Sequence, residues 1–436
     1  MTHDSLQNKP DNSPGTKAGS FLPKRPAMFY GWWIVIATSL MTMLTNGFVA
    51  LGFTALFEPI ANSSGWNYTQ VSLAASLRGI DVGLFGPIMG FFVDRFGPKR
   101  LVATGIVLVS VGLFFLSRIT TLTGFYMSYI LIAIGMSFAS PVVTLTSVAY
   151  WFRKKLGIAT GIAASGFAVG GGLLVPLVVK LVDIFGWRHA VLIIGGIILV
   201  TCLPLSLVLR HRPERYGLQQ DGERVVKAPA GAPVTVEPVE DDFTVKRAIA
   251  SAPFWHIGLA MMFLFMAIST VTAHIMPYLT SIGIDRSTAS FIAMSIPLVS
   301  VVGRIGAGVA GDRFNKKWVA TALFALAFFG LFSNIFTAFG HTWLLVPFII
   351  FFAIGWGGST TARVAIIREY YGSGHFGSVF GLCMGMAALG TIMGPIFAGW
   401  IFDTFGSYEL AWPILSALVL AGMFILGTIR VPAKAR

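Results

Sequence analysis

Arg304 stands eight residues before Asp312 in an otherwise apolar run. If that run is a helix ending at Asp312, the guanidinium sits about 12 Å from its end at 1.5 Å per residue. A cation at that depth in a bilayer costs several kcal/mol unless something offsets it, so it is a functional candidate by default. Arg suits a carboxylate, because its planar fork offers two parallel N–H donors and does not deprotonate. The other reading is a permanent ion pair within the membrane. No carboxylate lies within one helical turn, however, and the residue four positions earlier is Ser300.

His274, within Val271-Thr272-Ala273-His274-Ile275-Met276-Pro277-Tyr278, titrates near neutral pH and can carry a proton or bond a carboxylate oxygen. A His satisfied by a neighbouring helix fits the same residue. Arg363, five residues before Arg368, reads either as a second anion contact or as a gate residue pairing with Glu369 or another acid. Arg78 and Asp81 form an i, i+3 pair that is self-compensating, or that leaves Asp81 as a proton relay. Asn46, Ser140, Thr144 and Cys383 are candidates for a pocket lining, although these types also serve helix contacts.

The elements that must position these groups follow from composition. The 436 residues are 55% hydrophobic and 11% charged, whereas soluble domains carry about 25% charged residues. Apolar runs long enough to cross a bilayer occur near 28–57, 69–93, 99–118, 122–150, 156–184 and 187–209, and again near 252–281, 286–311, 317–338, 342–368, 374–403 and 408–430. The expected fold is an all-α membrane protein with twelve transmembrane helices, since lipid offers backbone groups no other partner. A polar tail over 1–27, a linker over 210–251 and a short tail over 431–436 complete the chain, with six-helix bundles over 28–209 and 252–430. With the N-terminus inside, the inner segments hold 24 Lys and Arg and the outer loops three, which places both termini in the cytoplasm. This asymmetry accounts for the net charge of +13 without nucleic acid. Cys202 and Cys383 lie alone in apolar runs, excluding a disulfide framework and a Cys-based metal site.

The second half repeats the first. Gly90-Phe-Phe-Val-Asp94-Arg95-Phe96-Gly97-Pro98-Lys99-Arg100 returns as Gly308-Val-Ala-Gly-Asp312-Arg313-Phe314-Asn315-Lys316-Lys317, displaced by 218. Ile134-Gly135, Tyr150, Gly161 and Asp183-x-Phe185-Gly186 return displaced by 220 as Ile354-Gly355, Tyr370, Gly381 and Asp403-x-Phe405-Gly406. Two pseudo-symmetric six-helix halves are the arrangement that alternating access by rocking requires, with substrate held at their interface near the midplane.

The repeated Gly-x-x-x-Asp-Arg segment resembles the signature loop of the major facilitator superfamily. The resemblance implies a conformational role for Asp94, Arg95, Arg100, Asp312 and Arg313 in holding the outward-open state. Asp94, ending a helix, can pair with Arg or accept bonds from the next helix's N-terminus. Tyr30-Gly31-Trp32-Trp33 and Trp151-Phe152-Arg153-Lys154-Lys155-Leu156-Gly157 resemble the two signatures of monocarboxylate transporters and their bacterial relatives, the oxalate–formate antiporters among them. Departures exist: Tyr30 stands where the animal proteins have an acidic residue, and Leu156 where a basic residue is common. Members of this group have an Arg at the distance of Arg304 from the motif, where it binds the substrate carboxylate. Animal members commonly have an acid where Ser300 stands. Their Lys in the first helix is absent, and Asn46 occurs there. The Lys by which oxalate–formate antiporters grip a second carboxylate corresponds to Ala387, which favours a monocarboxylate.

Together these readings predict a secondary carrier of a small organic monoanion such as lactate or pyruvate, coupled to a proton through His274 or Asp81. Exchange of two organic anions is the alternative mode, and drug efflux or a transport-derived sensor the alternatives of other classes. No nucleophile–base or metal constellation points to an enzyme, and no cofactor is implied. The expected setting is the plasma membrane, or the inner membrane of a bacterium, with the protein as a monomer.

Overall fold

A computed structural model describes residues 28–66, 70–71, 79–222 and 244–430, with the side chains of 79–84 outside the description. Arg78, the tails and the middle of the linker also lie outside the described residues. The chain is helical almost throughout, and among the described residues there is no strand.

The first half comprises α1 (Tyr30–Ser64), α2 (described over Gly79–Phe96), α3 (Pro98–Arg118), α4 (Leu122–Trp151) and one continuous run, Leu156–Val208, that holds two spans. Gly186 breaks this run with φ 72°, a backbone that only glycine adopts without strain, so α5 covers 156–185 and α6 covers 187–208. The second half comprises α7 (Ala252–Ser281), α8 (Arg286–Arg313), α9 (Lys316–Phe339), α10 (Thr342–Tyr371), α11 (Phe376–Phe405) and α12 (Ala411–Thr428). Gly406, the repeat partner of Gly186, ends α11 with φ 71°. The recurring Asp-x-Phe-Gly is therefore a helix terminator used twice.

α1 runs seven residues past its expected end at 57. A π-helical turn over Asn46–Leu51 lies within it, and the extension is held on α6 by Trp187, whose Nε1 donates to Ser63 Oγ at 2.6 Å. Glu58 is exposed there, so the added turns carry a charge without burying it.

Between hydrocarbon-embedded helices the driving force is close packing rather than water exclusion, and the contacts follow the small residues. Gly166 and Gly170 of α5 lie against the backbone of Ser39 and Met43 of α1. Gly390 and Gly394 of α11 do the same against Met262 and Met266 of α7. Across the halves, Gly90 and Gly86 of α2 meet Gly377 and Gly381 of α11, while Gly157 and Gly161 of α5 meet Gly308 and the Arg304 backbone of α8. Large apolar side chains such as Phe91, Phe115, Phe291 and Trp400 face outward, as a lipid-facing surface does.

Candidate functional site

Arg304 is placed where the halves touch. Its carbonyl accepts Thr361 Oγ1 of α10 at 3.1 Å, and Gly161 of α5 backs onto the same peptide. The side chain is 3% exposed. Its Nη1 donates to Ser300 Oγ at 2.6 Å, Ser300 itself donating to the Pro297 carbonyl. The Trp356 ring lies 6.0 Å from the guanidinium carbon, and Nε has no partner. A neutral hydroxyl thus occupies the place where an acid would cancel the charge.

Arg363 departs from the gate expectation. Glu369 pairs with Lys316 at 2.8 Å instead, because α10 carries Glu369 and Arg363 six residues apart, on different faces of the helix. Arg363 points into the bundle, 5% exposed, with the ring of Phe265 of α7 at 5.1 Å and that of Phe380 of α11 at 6.0 Å. Its Nε and Nη1 have no partner, and it lies within the electrostatic reach of Arg304. Among the described residues no carboxylate pairs with either arginine. The aromatic faces offset the charge by about 1–2 kcal/mol each at most.

From the other half, α4 breaks after Phe138, Ser140 in extended backbone caps the segment Pro141–Trp151, and Thr144 and Ser147 lie at i and i+3 on one face of that segment. Thr144 Oγ1 returns to the Ser140 carbonyl at 3.1 Å, while Ser140 Oγ, Thr146 Oγ1 and Ser147 Oγ, with Thr38 Oγ1 of α1, have no partner. Thr38, Thr146 and Ser147 did not stand out in the sequence. Their signal, a hydroxyl without an acceptor, exists only in three dimensions. Asn46 opens the π-helical turn of α1, and its Nδ2 donates to the Thr42 carbonyl at 3.1 Å. Such turns are frequent at functional sites. Cys383 is buried on α11, one turn from Phe380.

His274 does not join the arginines. Its Nε2 lies 3.1 Å from the Pro395 carbonyl and its Nδ1 3.1 Å from the Tyr408 hydroxyl. Since a carbonyl only accepts, the neutral ring carries its proton on Nε2 and accepts from Tyr408. These bonds tie α7 to α11 and to the loop that follows it, within the second half. Asp81 lies in α2, and its side chain is outside the description.

The hydrogen bonds joining the halves gather at the face that carries the basic loops. Asp94 accepts the N–H groups of Gly377 at 3.0 Å and Ser378 at 2.7 Å, and the Ser378 hydroxyl at 2.6 Å. Tyr150 Oη also donates to it. The cap therefore falls on α11 of the other half and not on the following helix α3. Asp312 accepts Gly157 N–H at 2.6 Å and Ile158 N–H at 3.0 Å, capping α5. A carboxylate at a helix N-terminus answers both the free N–H groups and the helix dipole. Arg95, Arg100 and Arg313 are exposed beside these caps.

The beginning of the linker is docked on the same face. Trp151 Nε1 donates to the Arg210 and His211 carbonyls at 3.2 and 3.0 Å, and the Arg210 guanidinium lies over the rings of Tyr30 and Tyr216 at 4.0 and 4.6 Å. Asp221 accepts the N–H groups of Arg153, Lys154 and Lys155 at 2.9, 2.7 and 3.3 Å. Arg212 donates to the Gly374 carbonyl of the second half at 2.7 Å. His211 is lowered to about 4, first by burial and then by Arg215 and Arg212. The two aromatic signature segments meet here too, Tyr30 on Trp151 at 5.3 Å and Trp32 on Phe152 at 5.1 Å.

Two like halves of membrane-crossing helices around a buried unpaired cation define a membrane transporter rather than an enzyme. The chain belongs to the Major Facilitator Superfamily, whose family model matches residues 32–306 and 259–436. Among its relatives, monocarboxylate transporter 12 of Mus musculus is 26% identical over 418 residues, covering 92% of this chain and 86% of that one. Monocarboxylate transporter 2 of Homo sapiens is 22% identical, covering 92% and 85%. Among solved structures, the proton:xylose symporter XylE matches with a TM-score of 0.71 at 14% identity, over 92% of this chain and 96% of that one. The human organic anion transporter MFSD10 matches with a TM-score of 0.68 at 13% identity, over 92% and 100%. These two likenesses concern the fold.

Proposed function

We propose that the protein carries a small organic monocarboxylate, lactate- or pyruvate-like, across the membrane by alternating access, with Arg304 as the carboxylate anchor. The observation that carries this reading is the buried guanidinium whose one side-chain acceptor is the neutral Ser300. A carboxylate entering between the halves replaces a missing counter-charge, which makes a desolvated site favourable for an anion that otherwise prefers water. The names of the relatives support the substrate class. In this reading the basic face is cytoplasmic, Asp94 and Asp312 hold it shut, and both termini lie inside a plasma membrane or bacterial inner membrane. The carrier works as a monomer. Asn46, Ser140, Thr144 and Cys383 line the pocket from the remaining helices, and Asp81 or His274 takes the co-transported proton.

Exchange of two organic anions is the second reading, and the same arginines favour it. A site holding two unpaired cations is poorly suited to reorient empty, and an obligatory anion on each passage removes that difficulty. Uptake of labelled lactate, pyruvate, oxalate and formate into proteoliposomes, with and without an imposed pH gradient, decides between them. Symport predicts uptake driven by an alkaline interior. Exchange predicts indifference to that gradient and acceleration by preloaded anion. Arg304→Lys should abolish uptake, because an ammonium cannot reproduce the fork; full activity in that variant removes the anchor assignment.

A further inference from the structure

Of the three buried arginines among the described residues, Arg368 donates to the Ala149 carbonyl and to Gln220, Arg304 is the carboxylate anchor of the carrier cycle, and Arg363 has no such task. Arg363 is 5% exposed, faces Phe265 and Phe380, and leaves Nε and Nη1 without acceptors. It stands on α10, the helix whose Thr361 and Trp356 also support Arg304, and each guanidinium lies in the field of the other. One carboxylate engages one guanidinium fork through two parallel bonds. A single monoanion therefore leaves one positive charge and at least one set of N–H donors unanswered in the bundle, and buried donors without acceptors are costly. Among the described residues no acid cancels the charge of either arginine: Ser300 is the neighbour of Arg304, and Glu369 is taken by Lys316.

We propose that Arg363 is a second anion subsite and that the carrier's range extends to short dicarboxylates, one carboxylate on Arg304 and the other on Arg363. This rests on the reading of Arg304 as the carboxylate anchor. It supplies from α10 the second cation that α11 lacks at Ala387, which is buried beside Met384 and Ala388. Phe265 and Phe380 then flank the second subsite, holding the guanidinium by its faces and leaving its N–H edge for the anion.

The test is binding to the purified full-length protein in detergent at pH 8, where every carboxyl group of every probe is ionised. Dissociation constants for pyruvate, oxalate, malonate, succinate and glutarate are measured by calorimetry on the wild type and on R363Q, R363K and R304Q. The expected result is at least tenfold tighter binding of one dicarboxylate in the series than of pyruvate. In R363Q the ratio of dicarboxylate to pyruvate affinity falls toward one, and in R363K, which keeps the charge, part of the preference returns. A wild-type ratio of one or less across the series overturns the proposal, as does a preference that persists in R363Q. The wild-type series alone decides the matter if R363Q is not monodisperse. Failure of the anchor reads differently: pyruvate and dicarboxylate binding would both survive in R304Q. A dicarboxylate preference that vanishes in R363Q while pyruvate binding vanishes in R304Q supports both assignments.

Discussion

Replacing Asp312 by Asn separates charge from shape at the closed face. The native carboxylate accepts Gly157 N–H at 2.6 Å and Ile158 N–H at 3.0 Å across the halves. Hydrogen bonds to a charged group contribute about 1.5–3 kcal/mol each, and an anion in the first turn of a helix adds about 0.3–1 kcal/mol. Asn retains one neutral acceptor worth about 1 kcal/mol, and the site is only half-buried, so the net loss is about 1.5–2.5 kcal/mol. At 1.4 kcal/mol per factor of ten, the ratio of closed to open basic face falls about tenfold to sixtyfold. Spin labels report it directly. Phe96 and Phe314 hold equivalent places in the two halves and are 49% and 68% exposed, so each accepts a label through Cys in a chain with Cys202 and Cys383 replaced by Ala. D312N should add a long-distance population that the labelled parent lacks. An unchanged distance distribution would refute the claim that this carboxylate holds the halves together.

Ser300→Asp places an acid one turn from Arg304 in the position where the Ser hydroxyl now accepts its Nη1. The internal pair should raise the midpoint of thermal unfolding of the ligand-free protein and weaken carboxylate binding at least tenfold; calorimetry and a thermal scan check both, and unchanged affinity would count against Arg304 as anchor. His211 is held at about 4 by burial and by Arg215 and Arg212, below the ordinary value of about 6.5. The neutral form is therefore the one that fits, so its stabilisation is complete above about pH 6.5 and is lost progressively as the pH falls toward 4. Thermal midpoints measured across pH 4.5–7.5 should show a decline on acidification that is smaller in H211Q, and parallel curves would remove His211 as its source.

Much of the architecture is readable from the chain because lipid simplifies the problem. Helix count follows from run length, and the two halves follow from Asp94-Arg95 and Asp312-Arg313. Arg304 stood out because a charge in an apolar run needs no structure to be noticed. What the sequence does not show is which partner a group takes across the bundle. Asp94 reaches α11, nearly three hundred residues away, and not the adjacent α3. Glu369, close to Arg363 in sequence, projects from another face and binds Lys316. The extension of α1 is hidden because its residues, Glu58-Pro59-Ile60-Ala61-Asn62-Ser63-Ser64, are mostly polar and do not continue the apolar run. The unpartnered hydroxyls of Thr38, Thr146 and Ser147 look like ordinary packing residues until their neighbours are known.

The two caps have a meaning as a pair. Asp94 and Asp312 correspond under the repeat, and so do the helix starts they bind, Gly377-Ser378 and Gly157-Ile158. Residue and counterpart each hold the other's partner, which is the contact rule of a two-fold isologous dimer, written here into one polypeptide. The joint is unevenly loaded, since Asp94 also accepts the Ser378 hydroxyl and Tyr150 Oη, whereas Ile158 stands opposite Ser378 and offers Asp312 no hydroxyl. The two caps nonetheless join the same pair of surfaces, so the basic face is closed by paired contacts of the kind found between identical subunits, here fused end to end.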